Sequence, residues 1–290
     1  MRLNKRHETK RKKIEGKEVS ILVIPDMQIK PDVDLRFVYA IGEYIAAKRP
    51  QVVINLGDMA DMPSLSSYDK GKRASEGQRY CHDIESAILA QGLLWLPTND
   101  LNKGIEKRNK KSKKKEALYD PLRIFLEGNH CQRGDRATQD DPALYGTIDV
   151  KRDLKLDLFW DEIYSFLTIA KVADINFSHY FTSGVMGRAC SSAAIQLRVA
   201  LGSCISGHQP GLQIHNAKAA DGRLATSIIA GSCYDFDLDY MGPQGNRHWR
   251  GVVMLHNAIN GEFDPVFVPT SYLKQKYSDH LEPIIYTREE

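Results

Sequence analysis

Short apolar runs alternate with amphipathic segments through the first half of the chain. Three runs have the continuous apolar character of strands buried on both faces, and they lie at 19–25, 51–56 and 122–126. Between them, residues 33–48 repeat apolar side chains every four positions, and residues 83–96 carry a second apolar stripe, which predicts two helices. Strands that alternate with helices predict a parallel sheet joined by right-handed crossovers.

The second half of the chain is richer in strands. One helix is predicted over 188–201, and Asn260-Gly261 is a strong signal for a two-residue hairpin between the last two strands. Five strands are predicted, at 175–179, 204–208, 225–230, 251–255 and 263–268. We expect them to form a second, mixed or antiparallel sheet, so the predicted fold class is α/β with two sheets.

Side chains that commonly bind metals follow five of the predicted strands. In chain order they are Asp26, Gln28, Asp58, Asn129, His130, His179 and His208. Ligands of open α/β sheets bind beyond the carboxyl ends of the strands, so we expect these residues to share one rim. A glycine before Asp58, Asn129 and His208 keeps the rim free of crowding. Carboxylate, amide oxygen and imidazole together predict a site for Mn²⁺, Mg²⁺, Fe²⁺ or Zn²⁺.

The order of these residues resembles the calcineurin-like metallophosphoesterases. The family pattern is DxH, GDxxD, GNH, a lone His and GHxH, and the match runs over about 21–208. Within the family, the chain most resembles the branch common in bacteriophage genomes. The shared short motifs are DMQ at 26–28, HYF at 179–181, GHQ at 207–209 and WRG at 249–251. The resemblance implies a single domain over 18–290. It also implies a four-layer sandwich of two mixed β-sheets flanked by helices, with a two-metal hydrolytic site.

Carried over residue by residue, the resemblance implies two ion sites that share one carboxylate. Asp58 would bridge both ions, which a carboxylate with two oxygens can do. The second ion would be bound by Asn129, His179 and His208, and the first by Asp26 and Gln28. Mn²⁺ is the expected ion at both sites, with Mg²⁺, Fe²⁺ and Zn²⁺ as alternatives.

Three further residues are expected to act beside the ions. His130 would donate a proton or a hydrogen bond to the phosphate or the leaving oxygen. Asp61 would orient a ligand or a water, unless it is a helix N-cap. Arg133 would bind substrate phosphate, unless it only solvates a loop.

The chain departs from the family pattern at two positions. Gln28 stands where the family has the histidine of DxH, and Pro210 stands where it has the last histidine of GHxH. Both losses fall on the first ion, which predicts a weaker, oxygen-rich site that favours Mn²⁺ or Mg²⁺ over Zn²⁺. His215 is the nearest histidine that could replace the imidazole, but its spacing is more typical of a surface residue.

Two short segments of the chain are strongly basic. Residues 1–17 and 103–115 each hold eight Lys/Arg, with two and one Glu respectively. Removing them from totals of 40 basic and 37 acidic residues leaves 24 and 34, so the rest of the chain is acidic. Without apolar periodicity they predict a disordered tail over 1–17 and a basic loop insertion near 101–119. They either aid solubility or bind nucleic-acid phosphates through Lys10, Arg11, Lys12, Lys13, Lys110, Lys111, Lys113, Lys114 and Lys115.

The overall composition is that of an ordinary globular protein. The 290 residues are 42% hydrophobic and 27% charged, which excludes a wholly disordered chain. No apolar run approaches the roughly 20 residues of a membrane span, and no apolar segment typical of a signal peptide follows the basic N-terminus. Five cysteines without a CxxC pair are typical of reduced thiols. We expect a cytoplasmic protein, in the host cytoplasm if a bacteriophage encodes it.

The expected function is metal-dependent hydrolysis of phosphate esters. Two ions roughly 3.5–4 Å apart would hold the ester and lower the pKa of a bound water. The basic segments favour a phosphodiester in nucleic acid over a monoester, so a nuclease or phosphodiesterase is the first expectation. Gln28 and Pro210 keep open a metal-depleted, catalytically weak homologue that binds nucleic acid or a partner protein. A small-molecule phosphatase is the other alternative.

Overall fold

The computed structural model describes residues 5–218, 220, 222–238 and 241–287. Its helices are α1 (Lys5–Ile14), α2 (Arg36–Lys48), α3 (Tyr80–Lys111), α4 (Gln132–Asp140), α5 (Val150–Asp153), α6 (Leu156–Phe159), α7 (Ala193–Ala200), α8 (Gly242–Gly245) and α9 (Thr270–Tyr277). Its strands are β1 (Val19–Ile24), β2 (Val52–Asn55), β3 (Leu122–Leu126), β4 (Glu162–Tyr164), β5 (Ala170–Val172), β6 (Ile175–Phe177), β7 (Thr182–Ser183), β8 (Arg188–Ala189), β9 (Cys204–Ser206), β10 (Gln213–Lys218), β11 (Leu224–Ile229), β12 (Gly251–Ile259) and β13 (Glu262–Pro269).

The first sheet has the strand order β13-β12-β1-β2-β3-β4. β1 to β4 are parallel, which confirms the parallel sheet expected from the alternating pattern. β12 and β13 join this sheet as antiparallel strands, although the sequence pattern assigned them to the second sheet. The hairpin between them is confirmed, because Asn260 and Gly261 both have positive φ, at 53° and 82°, as a two-residue hairpin turn requires.

The second sheet has the strand order β10-β11-β9-β6-β5. Its central strand β9 is parallel to β6 and β11, while the edge strands β5 and β10 are antiparallel to their neighbours. Both main sheets are therefore mixed. Successive side chains of a strand point to opposite faces, so β1 contributes Ile21 and Val23 to a core shared with the second sheet. Leu22 and Ile24 of the same strand pack on the helical side.

Helices cover the outer faces of both sheets. α2, α3 and α9 pack together over the first sheet, with Phe37, Leu94 and Leu273 in the core beneath them. α7 packs on β10 and β11 of the second sheet, where Leu197 contributes to a smaller core. The result is a mixed α/β sandwich with two main sheets, as the fold-class prediction requires.

The N-terminal basic segment is not a disordered tail over its described part. Residues 5–14 form α1, and Lys10 and Arg11 bind carboxylates of the first sheet's edge. Lys10 Nζ lies 2.7 Å from Asp161 Oδ2 and 2.8 Å from Asp120 Oδ1, and Arg11 Nε lies 2.5 Å from Glu162 Oε1. The sequence of α1 has no apolar periodicity because buried ion pairs, and not an apolar stripe, attach this helix to the first sheet. Lys10 and Arg11 are thus engaged within the protein, and their contact with nucleic acid stays a prediction.

Replacement of Arg11 should destabilise the protein strongly. The Glu162 side chain is fully buried, with an exposed fraction of 0%, so Arg11→Ala leaves a buried carboxylate without its guanidinium. Loss of one partner of a buried ion pair costs about 3–5 kcal/mol, and we expect about 3 kcal/mol in urea unfolding. Lys12→Ala removes an exposed lysine of the same helix and should change the free energy of unfolding by less than about 0.5 kcal/mol. Equal effects of the two substitutions would contradict this description of α1.

The second basic segment is mainly helical, which corrects the prediction of a loop insertion near 101–119. The helix predicted over 83–96 continues through Pro97 as far as Lys111. Two asparagines of α3, Asn102 and Asn109, each donate to and accept from the backbone of the returning chain, at Tyr119 and Glu116 respectively. These bonds align the return segment along the helix. The basic side chains here are exposed, at Lys110, Lys111, Lys113, Lys114 and Lys115.

Membrane spans were sought among the described helices. None of these helices combines the length and the apolar character that crossing a bilayer demands.

Candidate metal centre

The predicted site residues lie just beyond the carboxyl ends of strands from both sheets. Asp26, Asp58 and Asn129 follow β1, β2 and β3 of the first sheet, while His179 and His208 follow β6 and β9 of the second. The rim expected from the sequence is thus built by the two sheets together. Asp26, Asp58 and His179 are each at most 2% exposed, so these ionisable groups need charged or hydrogen-bonding partners.

Four of the predicted ligands converge on one point. One ligand atom from each of Asp58, His179 and His208 lies within 4.8 Å of the other two. Asn129 joins them, because its Oδ1 lies 2.8 Å from His179 Nε2 and 2.8 Å from His208 Nδ1. Carboxylate, amide oxygen and two imidazoles form a mixed oxygen and nitrogen donor set, which fits a divalent transition metal.

The orientation of His179 is fixed by the backbone. Its Nδ1 lies 2.9 Å from the Leu56 carbonyl oxygen, and since a carbonyl only accepts, Nδ1 carries the hydrogen. Nε2 then faces the Asn129 amide oxygen and lies 3.4 Å from Asp58 Oδ2. These atoms present lone pairs to one another, so the arrangement requires a proton on Nε2 or a cation between them. A backbone bond that holds the far ring nitrogen is typical of histidines that ligate metals.

The protonation of the metal-free centre follows from burial and charge. Burial alone would lower the pKa of His179, but the Asp58 carboxylate outweighs it and raises that pKa to about 9. Burial likewise opposes the ionisation of Asp58, yet the charges of His130 and His179 lower its pKa well below the ordinary value. Burial and the neighbouring His179 charge lower the pKa of His208 to about 4. The metal-free centre therefore holds an ionised Asp58, a protonated His179 and a neutral His208.

Metal affinity should rise with pH because the metal competes with the proton of His179. Below the His179 pKa of about 9, binding must release that proton, so the affinity for Mn²⁺ should increase about tenfold per pH unit. The increase should flatten above pH 9, where the ring is already neutral. Isothermal titration between pH 6 and 9 in buffers of different ionisation enthalpy measures both the affinity and the number of protons released. A pH-independent affinity without proton release would contradict binding at His179.

Glycines let the strand ends approach closely enough to form the centre. A Cβ on Gly128 would stand 2.0 Å from Asp58 Oδ1, and one on Gly207 would stand 2.5 Å from Asp26 Oδ1. Asp58 and His208 themselves adopt positive φ, at 45° and 66°, which is uncommon and strained for residues with a Cβ. The expected role of the preceding glycines in avoiding crowding is thereby borne out at Gly128 and Gly207.

His130 lies beside the cluster and is held from the opposite side. Its backbone N–H donates to Asp58 Oδ1 at 2.9 Å, and its Nε2 lies 3.6 Å from Asp58 Oδ2. Its Nδ1 lies 2.8 Å from the Asp61 carbonyl and 3.0 Å from Asp61 Oδ1. Burial alone would lower the pKa of His130, but the Asp58 and Asp61 carboxylates outweigh it and raise that pKa. Asp61 therefore orients His130. It is not the cap of the following 3-10 turn, whose N-cap residue is Met62.

Arg133 contacts both His130 and the segment that orients it. Its guanidinium donates to the carbonyls of Asp61 and Met62 at 2.8 and 3.1 Å, and Nη2 lies 3.2 Å from His130 Nε2. The side chain is 14% exposed, so it borders the centre and supports His130. Its contact with a substrate phosphate stays a prediction.

The residues expected to serve a first ion are only partly brought into the cluster. Asp26 accepts the His208 backbone N–H through Oδ1 at 3.0 Å, and burial, with the Asp58 charge, raises its pKa to about 7. The Gln28 backbone N–H donates to the Asp58 carbonyl at 2.9 Å, with φ at 45°. Within the described ranges, the acidic and histidine side chains that gather at ligand distance comprise Asp58, His179 and His208 alone. A second ion site stays a prediction, and His215 is exposed on β10, as expected of a surface histidine.

Aromatic side chains line one side of the candidate metal centre. The sequence patterns did not predict that they belong to the site. The Tyr180 ring lies 4.7 Å from the His208 ring and 5.6 Å from the Phe166 ring. Tyr180 follows His179 directly, within the HYF run at 179–181, which was the one available signal. Cys131 follows His130, but burial raises the pKa of its thiol to about 12, so it is neutral at pH 7.

Comparison with known proteins does not place the chain in a family. No model of a known protein family matches it, and no curated protein matches it. The function is therefore inferred from the metal centre and its surroundings.

Proposed function

We propose that the protein is a metal-dependent phosphoesterase of the calcineurin-like type, and that phosphodiesters are its substrates. The observation that carries the proposal is the convergence of Asp58, Asn129, His179 and His208 at the strand ends, with His130 beside them. The two mixed sheets with helices on both outer faces agree with the four-layer sandwich that this family would require. Asp58 would be the carboxylate shared by the ions.

The residues of the chain divide the work around a bound ion. A divalent ion at such a centre supplies an acidified water and neutralises charge on a phosphoryl group. Asp58, Asn129, His179 and His208 would hold the ion. His130, oriented by Asp61, would donate a hydrogen to a phosphate oxygen or to the leaving group. Arg133 would keep His130 in place and add positive charge at the edge of the centre.

The exposed lysines of the two basic segments favour a polymeric phosphodiester over a small monoester. The lysines at 110, 111 and 113–115 are exposed at the end of α3 and in the segment that follows it. Lys12 and Lys13 are exposed on α1. Clustered cations attract polyphosphate chains by displacing their counterions. Nucleic acid is therefore the substrate that we propose, and the thiols, all unpaired, suit a reducing cytoplasm, that of a host cell if a bacteriophage encodes the protein.

A second function has specific support. Gln28 and Pro210 stand where the family has two histidine ligands of the first ion. Asp26 is not part of the cluster of Asp58, His179 and His208, whose ligand atoms lie within 4.8 Å of one another. A centre that retains only one ion would bind phosphate but turn it over slowly. The protein would then act mainly as a nucleic-acid or protein binding module.

Hydrolysis of a bis-aryl phosphodiester and of the matching monoester distinguishes these functions. Each substrate is assayed with Mn²⁺, Mg²⁺ and Zn²⁺ added separately to metal-stripped protein. The proposal predicts diester turnover that is highest with Mn²⁺, because an oxygen-rich first site disfavours Zn²⁺. Monoester turnover alone would favour a small-molecule phosphatase. Turnover of neither substrate, with metal bound, would favour the binding module.

A further inference from the structure

A large cavity lies on the outer face of the second sheet, between α7 and the strands β10 and β11. Its volume is about 820 Å³, and it extends to the turns at Asp174 and at Asn260-Gly261. Ser203, which precedes β9, borders the cavity, whereas His208 of the metal centre follows the same strand. Five residues of extended chain span about 16 Å, so the cavity opens at the end of the sheet opposite the metal centre.

Cations from four separate parts of the chain surround this cavity. Lys171 lies on β5, Arg198 on α7, Lys218 at the end of β10 and Arg223 before β11. Lys171 is paired with Asp174 at 2.9 Å. Within the described residues, no carboxylate forms an ion pair with Arg198 or Lys218, and both side chains are exposed. Two cations are thus available to an external anion.

The spacing of the cations favours an extended anion over a compact one. β5 and β10 are the two edges of the five-stranded sheet, and four strand spacings of roughly 4.8 Å separate edges by about 19 Å. One phosphate group cannot reach both edges, whereas a chain of phosphates can. Three leucines, Leu197, Leu201 and Leu224, are among the residues that line the cavity. Sugar carbons and base faces can pack on these leucines, while the polar base edges stay in contact with water.

We propose that this cavity binds the phosphodiester backbone of single-stranded nucleic acid, as a second binding site remote from the metal centre. The inference rests on the proposed function, because it specifies a polynucleotide as the substrate of that centre. The strand would cross the outer face of the second sheet and reach the strand ends about 16 Å away. Arg198 and Lys218 would each neutralise a phosphate, and Lys171 and Arg223 would add positive charge beside them.

The test is the binding of a fluorescein-labelled 20-nucleotide DNA strand to the full-length protein without metal. The cavity variant combines Arg198→Glu with Lys218→Glu. The control variant combines Lys48→Glu with Lys155→Glu, which makes the same charge change at exposed positions on α2 and just before α6. The cavity variant should bind the strand at least about tenfold more weakly, and its salt slope should be flatter by about 1.4, at roughly 0.7 per phosphate contact. The control variant should bind like the parent, and thermal melting confirms that both variants fold.

Three results would overturn the proposal. The first is a cavity variant that binds like the parent, and the second is a control that loses as much affinity as the cavity variant. The third is a mononucleotide that competes as well as the 20-nucleotide strand. Diester hydrolysis by the same variants separates the two proposals, because neither pair of positions lies at the metal centre. If the cavity variant loses strand binding but even the parent protein does not hydrolyse the diester, the phosphoesterase function alone is overturned. If the cavity variant binds the strand like the parent and both hydrolyse the diester normally, the cavity site alone is overturned.

Discussion

Asp58→Asn should abolish hydrolysis while leaving the fold intact. Asp58 contributes a ligand atom to the cluster, accepts the His130 backbone N–H, and supplies the negative charge next to His179. Asparagine retains an oxygen that can accept the His130 bond but removes the charge that a divalent ion requires. We expect the affinity for Mn²⁺ to fall by more than the roughly 10–100-fold typical of residues that only support ligands.

Asp61→Asn is the matched control for this substitution. It makes the same chemical change three residues away, at a carboxylate that contacts His130 and does not belong to the cluster. Asp61→Asn should retain metal and lose only part of the turnover. Metal analysis after desalting, circular dichroism and diester turnover are measured for both variants. An Asp58→Asn protein that retains metal and activity would exclude Asp58 as a ligand.

His130→Ala should lower turnover strongly and leave metal binding unchanged. The His130 ring is held by Asp61 and lies beside Asp58, and its imidazole belongs to no ligand cluster in the described part of the chain. Loss of one acid–base group costs about 10²–10⁴-fold in turnover. The metal content should equal that of the parent.

The pH profile separates a chemical role of His130 from a structural one. If His130 acts as an acid, the high-pH limb of the diester profile should disappear in His130→Ala, since no group then loses its proton there. His256→Ala, at an exposed position on β12, controls for the loss of an imidazole and should leave the profile unchanged. Loss of metal from His130→Ala would mean that His130 is a ligand.

The sequence predicted the strands and their polar ends because both depend on local pattern. β1, β2 and β3 are continuous apolar runs, and strands of that kind are buried on both faces. The parallel arrangement of the three strands then brings Asp26, Asp58 and Asn129 to one edge. His179 and His208 follow from the same rule applied to the second sheet.

The helical basic segments could not be predicted, because tertiary contacts stabilise them. α1 is attached by ion pairs to Asp120, Asp161 and Glu162, which lie more than 100 residues away in the chain. The end of α3 is held by asparagine bonds to the chain that returns beside it. Charge without apolar periodicity indicates a solvated segment only if no carboxylate partners are available.

The details of the candidate site were also beyond the reach of pattern. The Leu56 carbonyl that orients His179 is a backbone atom, and every residue has one, so no sequence motif marks it. The cations of the second cavity lie at positions 171, 198, 218 and 223, and none of them belongs to a charge cluster in the sequence. Only the fold brings them to one surface.

Anomalous diffraction from crystals soaked in Mn²⁺ tests the metal centre most directly. Data collected on both sides of the manganese absorption edge locate the ion without reference to activity. We predict a peak bounded by Asp58, Asn129, His179 and His208, and a weaker second peak toward Asp26. Full-occupancy manganese bound elsewhere, or no peak among these four residues at saturating Mn²⁺ and pH 8, would contradict the assignment of the metal centre.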